Sequence, residues 1–387
     1  MTGTQRATTW WRVGLLCALV GLLGGCATGG QVASSLQAPP EQSVERLTAD
    51  CAGGKAKSCN DLGVLYVNGL GVDKDKRRAA ALFEKACEGG FAVGCFNLGE
   101  LHSLHWEERL AAAMFEKACE GGLASGCSRL ALKYLHGPVS GVDKDERRAA
   151  ALYEKACEGG EAHSCYRLGQ LYADGSGVDK DKRRAAALYD KACEGGAAQA
   201  CNALGWLYDE GRVVDKDEHR AAALQEKACE GGEDQGCEEL GQFYEEGRGV
   251  EKDERRAAAL YDKACKGGVG VPLACVRLGL LYVKGLGVEK DERRAAILYE
   301  KACNRVSVAC VHLGSLYVKG LGVEKDERRA AILYDKACKR WDAEGCRALS
   351  TLYEQGQGVP KDEARSAALM NRAATIEMAE QTNPPQP

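Results

Sequence analysis

Apolar and polar positions along this chain alternate with a helical period, and the whole pattern then recurs as a block. From Cys165 the sequence reads CYRLGQLYADGSGVDKDKRRAAALYDKAC, closing at Cys193. Its first half sets Cys, Leu, Gly and Tyr at relative positions 1, 4, 5 and 8, the i, i+3, i+4, i+7 stripe of an amphipathic helix, here termed helix A. Its second half, helix B, follows Asp181, an N-capping residue type, and runs through an Ala-rich segment to Cys193. The Gly-Gly that comes next is a helix stop. Cys-Glu-Gly-Gly recurs at a spacing of 36 from Cys157 to Cys193 to Cys229, with variants at Cys51, Cys87, Cys119, Cys265, Cys303 and Cys338. One αα pair cannot bury its apolar face alone, whereas stacked pairs share a continuous core. The predicted fold is therefore all-α: an αα-hairpin solenoid, a right-handed superhelix of about nine 36-residue repeats over residues 41–380. Residues 41–51 read as a lone B-type helix capping the front, and 381–387 as a disordered tail.

Repetition also allows substitution to be read within one chain. Thirteen of the 14 Tyr fall at two repeat positions, position 8 of helix A (Tyr66, Tyr172, Tyr208) and one position of helix B (Tyr153, Tyr189, Tyr261). Such multiplicity marks packing residues, not a catalytic group. Helix-interior Gly63, Gly169 and Gly205 each cost about 1 kcal/mol against Ala, which predicts close helix approach there, with the Ala run of helix B on the other side of the contact.

Composition supports thin helices in place of one large core: Gly is 48 of 387 residues and aromatics are 6%. A net charge of −4 provides no electrostatic footprint for nucleic acid. Twenty Cys are too many for a reducing cytosol unless they bind metal. Arg6 and Arg12 precede an apolar run from Val13 to Gly25 that ends in Leu23-Gly24-Gly25-Cys26. That run resembles a bacterial lipobox, which predicts a signal peptide over 1–25 and lipidation of Cys26. Ala27 stands where Asp would favour inner-membrane retention, so an outer-membrane anchor is expected, facing periplasm or surface. Residues 26–40 read as a flexible tether, and its 14 residues after Cys26 span about 20 Å root-mean-square.

Leu-Gly-x-Leu-Tyr, Gly-x-Gly-Val-x-Lys-Asp and Ala-x-Leu-Tyr-x-Lys-Ala-Cys together resemble the Sel-one-like repeat, a relative of the tetratricopeptide solenoid. The paired cysteines further resemble the Hcp-type cysteine-rich secreted proteins, often labelled beta-lactamases. That label implies, as an alternative function, weak binding and hydrolysis of penicillin-like compounds. The chain nevertheless lacks Ser-x-x-Lys, Lys-Thr-Gly and His-x-His-x-Asp, the parts that serine and zinc beta-lactamases use, and no catalytic residue is marked. No cofactor is implied. Residues 95–107 depart from the repeat: the Gly-x-Gly-Val loop is missing and His102 replaces Tyr. His102, His105, Glu107 and Glu108 sit close enough for a metal, but a His at a core Tyr position more often serves packing.

Outside Cys17 and Cys26, 18 Cys form nine pairs. They are Cys51 with Cys59, Cys87 with Cys95, Cys119 with Cys127, Cys157 with Cys165, and Cys193 with Cys201. The remaining four are Cys229 with Cys237, Cys265 with Cys275, Cys303 with Cys310, and Cys338 with Cys346. Each joins the end of one B helix to the start of the next A helix, and in an oxidising envelope these are expected disulfides. No CxxC pair marks a zinc site.

Positions that vary between copies are where specificity can reside. On helix A they offer Arg129, Lys133, Tyr166 and Arg167, then Trp206, Asp209 and Glu210, then Glu238, Glu239, Gln242, Glu245 and Glu246, then apolar Val276, Leu280 and Val311. A basic stretch, an aromatic anchor and an acidic stretch on a concave groove suit an extended peptide. Solvated helix surface is the plainer reading of the same charges. The functional expectation is a lipid-anchored envelope scaffold for a protein or peptide ligand, touching the membrane only through its lipid.

Overall fold

The computed structural model describes residues 41–267 and 271–382. The predicted signal peptide, the whole tether with Cys26, and most of the tail lie outside them. All regular structure among the described residues is helical, and it divides into two compact units, with the division after Ala185. The first unit carries α1 (Glu41–Ala52), α2 (Ala56–Asn68), α3 (Lys76–Glu88), α4 (Ala92–Leu104), α5 (Glu108–Glu120), α6 (Ala124–His136), α7 (Glu146–Glu158) and α8 (Ala162–Asp174). The division falls within α9 (Lys182–Glu194). The second unit continues with α10 (Ala198–Glu210), α11 (Glu218–Glu230), α12 (Asp234–Glu246), α13 (Glu254–Lys266), α14 (Pro272–Lys284) and α15 (Glu292–Cys303). It ends with α16 (Ser307–Lys319), α17 (Glu327–Lys339), α18 (Ala343–Gln355) and α19 (Glu363–Thr382).

Helix boundaries follow local chemistry. Before the B helices, Asp75, Asp145, Asp181, Asp217, Asp253, Asp291 and Asp326 each accept a hydrogen bond from the backbone N–H three residues on, satisfying an orphan donor of the first turn. The A helices close on left-handed Gly such as Gly175 and Gly247.

Across each turn from helix B to the next helix A the paired cysteines are disulfide-bonded, with Cα atoms 4.4–4.9 Å apart. In the first unit Cys51 bonds Cys59, Cys87 bonds Cys95, Cys119 bonds Cys127, and Cys157 bonds Cys165. In the second unit Cys193 bonds Cys201, Cys229 bonds Cys237, Cys265 bonds Cys275, Cys303 bonds Cys310, and Cys338 bonds Cys346. All 18 sulfurs are thus committed to cross-links, and none of these cysteines serves as a metal ligand or a free thiol. Their role is structural: in the chain-entropy model so short a loop gains about 2.5 kcal/mol per bridge. The Cys265 to Cys275 and Cys303 to Cys310 pairs, separated by 10 and 7 residues instead of 8, close in the same way. Lysines of helix B then donate to the cysteine carbonyl one repeat back, as Lys155 does to Cys119 at 3.0 Å and Lys263 to Cys229 at 2.8 Å.

The glycines inside helix A do mark a close approach, but the element that fills the gap is an aromatic ring. A Cβ on Gly241 would meet the Tyr261 ring at 2.5 Å, and one on Gly99 the Phe115 ring at 2.7 Å. Helix-B Ala has a different partner: Ala86, Ala118, Ala228 and Ala337 face the first-turn glycines of the next A helix, Gly94, Gly126, Gly236 and Gly345. A ring is deep enough to reach the A-helix backbone across the hairpin, and a methyl is not. In one repeat Gln225 takes the ring's place, 1% exposed, and its Oε1 has no partner among the described residues. The last hairpin replaces the interlock with a Ser350–Ser366 hydrogen bond of 2.8 Å.

The two Tyr positions also differ. Helix-B Tyr153, Tyr261 and Tyr299 are fully buried. Helix-A Tyr66, Tyr134 and Tyr244 are half-buried, and each has the guanidinium of a helix-B arginine over its ring. Within each stack the closer approaches between helices two apart are made by A helices: α2 with α4, α10 with α12, α16 with α18. Helix A therefore forms the tighter side of each unit.

Candidate functional site on the A helices

In the first unit, A helices of three consecutive repeats enclose a cavity of about 240 Å³ lined by Phe96, Ser128, Arg129, Tyr153, Glu161 and Arg167, among others. Phe96 comes from α4, Ser128 and Arg129 from α6, Arg167 from α8, and Tyr153 rises from α7 beneath them. Arg129 Nε meets Glu100 Oε1 at 3.0 Å. Arg167 donates only to neutral groups, to His163 Nε2 at 3.2 Å and to Gln170 Oε1 at 3.2 Å. His163 is held neutral, its pKa lowered by burial and then by Arg167 and Arg129. Tyr153 is 2% exposed, and its hydroxyl, facing the cavity, has no hydrogen-bond partner among the described residues. Burial pushes its pKa up to about 12, so it remains a donor. Burial also raises Glu161 and Glu100 above the ordinary carboxylate range. For Glu161, Ser164 pulls the other way, its Oγ donating to Oε2 at 3.3 Å.

Other predicted residues of this unit are differently placed. Lys133 is committed within the stack: it pairs with Glu108 and donates to Ser103 Oγ at 3.2 Å. Its position lies toward the start of α5 instead of the open face, so it leaves the candidate surface. The Tyr166 hydroxyl accepts from Gln170 Nε2 at 3.0 Å. His102 Nδ1 lies 2.6 Å from Glu107 Oε2, a hydrogen bond that closes the short turn after α4, and His105 is exposed on that turn.

In the second unit the acidic stretch is largely consumed internally. Glu238 is 4% exposed and accepts from Gln242 Nε2 at 2.7 Å and from Arg277 Nε at 2.9 Å. Tyr261 donates to Glu245 at 2.6 Å, while Arg248 bridges Asp209 at 2.7 Å and Glu246 at 2.6 Å. The expectation of an open binding surface at Glu238 is thus corrected, because position 2 of helix A turns into the seam with the next A helix, and half-buried Gln242 spends its amide on that same carboxylate. Val276 and Val311 occupy that same position, 4% and 8% exposed, and belong to the core, not to an apolar docking face. Glu239 stays half-buried beside this network. Burial and then Glu238 push its pKa up to about 7, with the Trp206 indole and Arg277 acting in the opposite direction.

Sequence reasoning missed Tyr153 and Glu161 as cavity residues. Tyr153 shares its type with the other packing tyrosines. The available signal was Glu161, a carboxylate at the residue before helix A where neighbouring repeats carry Phe91 and Leu123.

A stack of disulfide-linked αα hairpins defines the class of repeat solenoids. The Sel1 repeat family model matches nine times, at residues 56–91, 92–123, 124–161, 162–196, 198–233, 235–269, 272–305, 307–340 and 343–375. The chain belongs to the Sel1 repeat family. It is similar to c5321 of uropathogenic Escherichia coli, described as a protective antigen displaying an SLR fold, at 26% identity and TM-score 0.68 over 86% of this chain and 79% of that one. It is also similar to a Sel1 repeat protein from Oxalobacter formigenes, at 30% identity and TM-score 0.56 over 63% of this chain and 99% of that one. Cysteine-rich protein B of Helicobacter pylori shares 35% identity over 34% of this chain and 93% of its own, with a TM-score of 0.29. No curated protein matches. The fold is that of protein-interaction scaffolds. Among the described residues no helix is long and apolar enough to cross a membrane.

Proposed function

We propose that this chain is an envelope lipoprotein, anchored through Cys26, whose A-helix face holds a segment of a partner protein. The observation that carries the reading is the Tyr153 cavity: a phenol whose ring is buried and whose hydroxyl opens on the cavity without a protein acceptor, beside a guanidinium, Arg167, that meets only neutral side chains. A partner that brings an acceptor to this point would take both the phenol and the guanidinium as donors and displace the cavity's solvent. A carboxylate, a side-chain amide or a backbone carbonyl fits that requirement, with Phe96 and Leu132 supplying apolar walls.

A photo-crosslinking residue placed at Leu132, which lines the cavity, and separately at Ala151, exposed on α7, tests this reading. A partner adduct formed at 132 and not at 151, and lost on Arg167→Glu, supports it. Equal adducts at both positions, or none at 132, sink it. Mass spectrometry of the mature N-terminus checks the anchor, with a diacylated Cys26 expected.

A further inference from the structure

The loop edge of the first unit holds a second surface, independent of the A-helix face. In most repeats the second Gly of the Gly-x-Gly-Val loop sits against the start of the preceding B helix. A Cβ on Gly177 would lie 2.3 Å from the Glu146 carbonyl, and one on Gly141 would lie 2.5 Å from the Arg109 nitrogen. Gly249, Gly287, Gly322 and Gly358 make the same approach in the second unit, and the loop valines Val250, Val288, Val323 and Val359 pack on the core beside them. The loop also carries its own neutralising pair: Lys144–Glu146, Lys216–Glu218, Lys252–Glu254, Lys290–Glu292, Lys325–Glu327 and Lys361–Glu363, all within 3.1 Å.

In one layer the loop itself is missing. Between α4 and α5 only His105, Trp106 and Glu107 connect, so no loop reaches the start of α3. A cavity of about 420 Å³ opens there, with Ala80, Leu98 and Leu101 in its wall, Lys74, Lys76 and Arg77 on its rim, and two carboxylates that are already engaged, Asp75 by the Arg78 N–H and Glu107 by His102. Where a loop is present, at Gly177, the neighbouring space is lined by charged and backbone groups with Val178 as its one large apolar residue. Lys76, like Lys182 of α9, stands where most B helices begin with Glu, and Lys74, Lys76 and Arg77 have no ion-pair partner among the described residues. Around the gap Leu104, Trp106 and Leu110 are 65%, 86% and 50% exposed, and Trp106 has a left-handed φ of 63°, a conformation that strains a bulky residue.

We infer that this gap is a docking slot for an extended, acidic segment of a partner protein that supplies the missing layer: a small residue over the start of α3, an aliphatic side chain against Leu98 and Leu101, and carboxylates for Lys74 and Lys76. The intact loops of this same chain define the shape of the occupant. The three rim cations, which outnumber the internally bonded Asp75 and Glu107, define its charge, and a cationic segment would be repelled.

A fluorescein-labelled peptide Gly-Leu-Gly-Val-Glu-Glu-Asp, which follows residues 285–291 with Glu in place of Lys290, serves as the probe in fluorescence anisotropy with the whole mature chain. Saturable binding is expected, weakened about tenfold or more by Lys76→Glu. A second variant replaces residues 105–107 by the regular loop Gly-Leu-Gly-Val-Glu-Lys-Asp. It keeps the helical circular-dichroism spectrum and loses the peptide. Equal binding of a Gly-Leu-Gly-Val-Lys-Lys-Lys peptide overturns the proposal, as does binding that survives the loop insertion. So does a full mature chain that fails to bind while a chain begun at Glu41 binds, because the occupant is then the chain's own N-terminal segment.

Discussion

The A-helix faces of the two units both carry charged side chains at the positions that vary between repeats, yet they spend that charge in opposite ways. In the second unit each carboxylate of Glu238, Glu245, Asp209 and Glu246 lies within 4 Å of a guanidinium from Arg277 or Arg248. In the first unit Arg167 meets only a neutral imidazole and an amide, and Tyr153 below it meets no acceptor among the described residues. Variation between repeats therefore has two physical origins. One is pairing between neighbouring repeats, where a change at position 2 of one helix A is answered on the next, as Asn97 answers Asn60 at 2.8 Å and Arg277 answers Glu238 at 2.9 Å. The other is a surface left incomplete for something outside the chain.

The largest effect that separates these origins is expected at Glu238. Glu238→Lys puts a second cation beside Arg277 in a nearly fully buried site, and breaking a buried pair costs about 3–5 kcal/mol. Because stacked repeats open locally instead of all at once, the measurement is hydrogen exchange of α12 and α14, with protection falling there first. The double change Glu238→Leu with Arg277→Met removes both charges and recovers most of the loss. If Glu238→Lys leaves α12 protected, the acidic stretch is surface after all and the contrast between the units collapses.

A smaller and common effect is expected where the units are built alike. Gly99→Val in the first unit and Gly279→Val in the second each drive a side chain into a ring, that of Phe115 or Tyr299, at about 1–3 kcal/mol by overpacking. Gln225→Tyr works in the opposite direction. It restores the ring over Gly205 and removes a buried amide oxygen with no partner among the described residues, a gain of about 1–3 kcal/mol. Thermal unfolding midpoints of the oxidised chain read both. Unequal costs for the two Gly variants would show that the interlock is not shared.

Glu239 provides a pH test of the second unit. Its folded pKa of about 7 lies above the ordinary carboxylate value near 4.5. Between these values the native chain holds a proton that the unfolded chain has lost. Its contribution to stability is thus fully present below about pH 4.5 and is lost as pH rises through about 7, on the order of 1–2 kcal/mol. Glu239→Gln should flatten that segment of the stability profile. A slope unchanged by the substitution would place the titration elsewhere.

Much of this fold was legible in the sequence because the signals are local and repeated. The i, i+3, i+4, i+7 stripe, the capping Asp, the Gly stop and the cysteine spacing are each decided within one repeat, and the copies reinforce one another. The side of a helix on which a variable residue ends up depends on the next repeat, and a single repeat does not contain that information. Lys133, Glu238, Gln242, Val276 and Val311 all vary between copies, as Arg129 and Arg167 do. Only packing shows that the first five turn into the stack and the last two line a cavity. Tyr153 was hidden for the opposite reason. It looks like every other helix-B tyrosine, and the difference lies in what surrounds its hydroxyl: Tyr261 reaches Glu245 at 2.6 Å, and Tyr153 reaches nothing among the described residues.

The smallest expected effect on stability is the one that most sharpens the contrast. Arg167 forms no ion pair among the described residues, and its two hydrogen bonds run to His163 and Gln170, which lie on its own helix α8. Removing it leaves no buried carboxylate stranded, so Arg167→Ala should shift stability by no more than about 0.5 kcal/mol. The His163 pKa, lowered in part by Arg167, should move up toward its ordinary value, and nuclear magnetic resonance titration of the imidazole reads that change directly. Partner crosslinking at Leu132 should fall at the same time. A residue retained only for folding would show the reverse pattern, with stability lost and crosslinking kept. That outcome would make the face of the first unit as self-sufficient as that of the second, and the Tyr153 cavity a packing defect instead of a binding site.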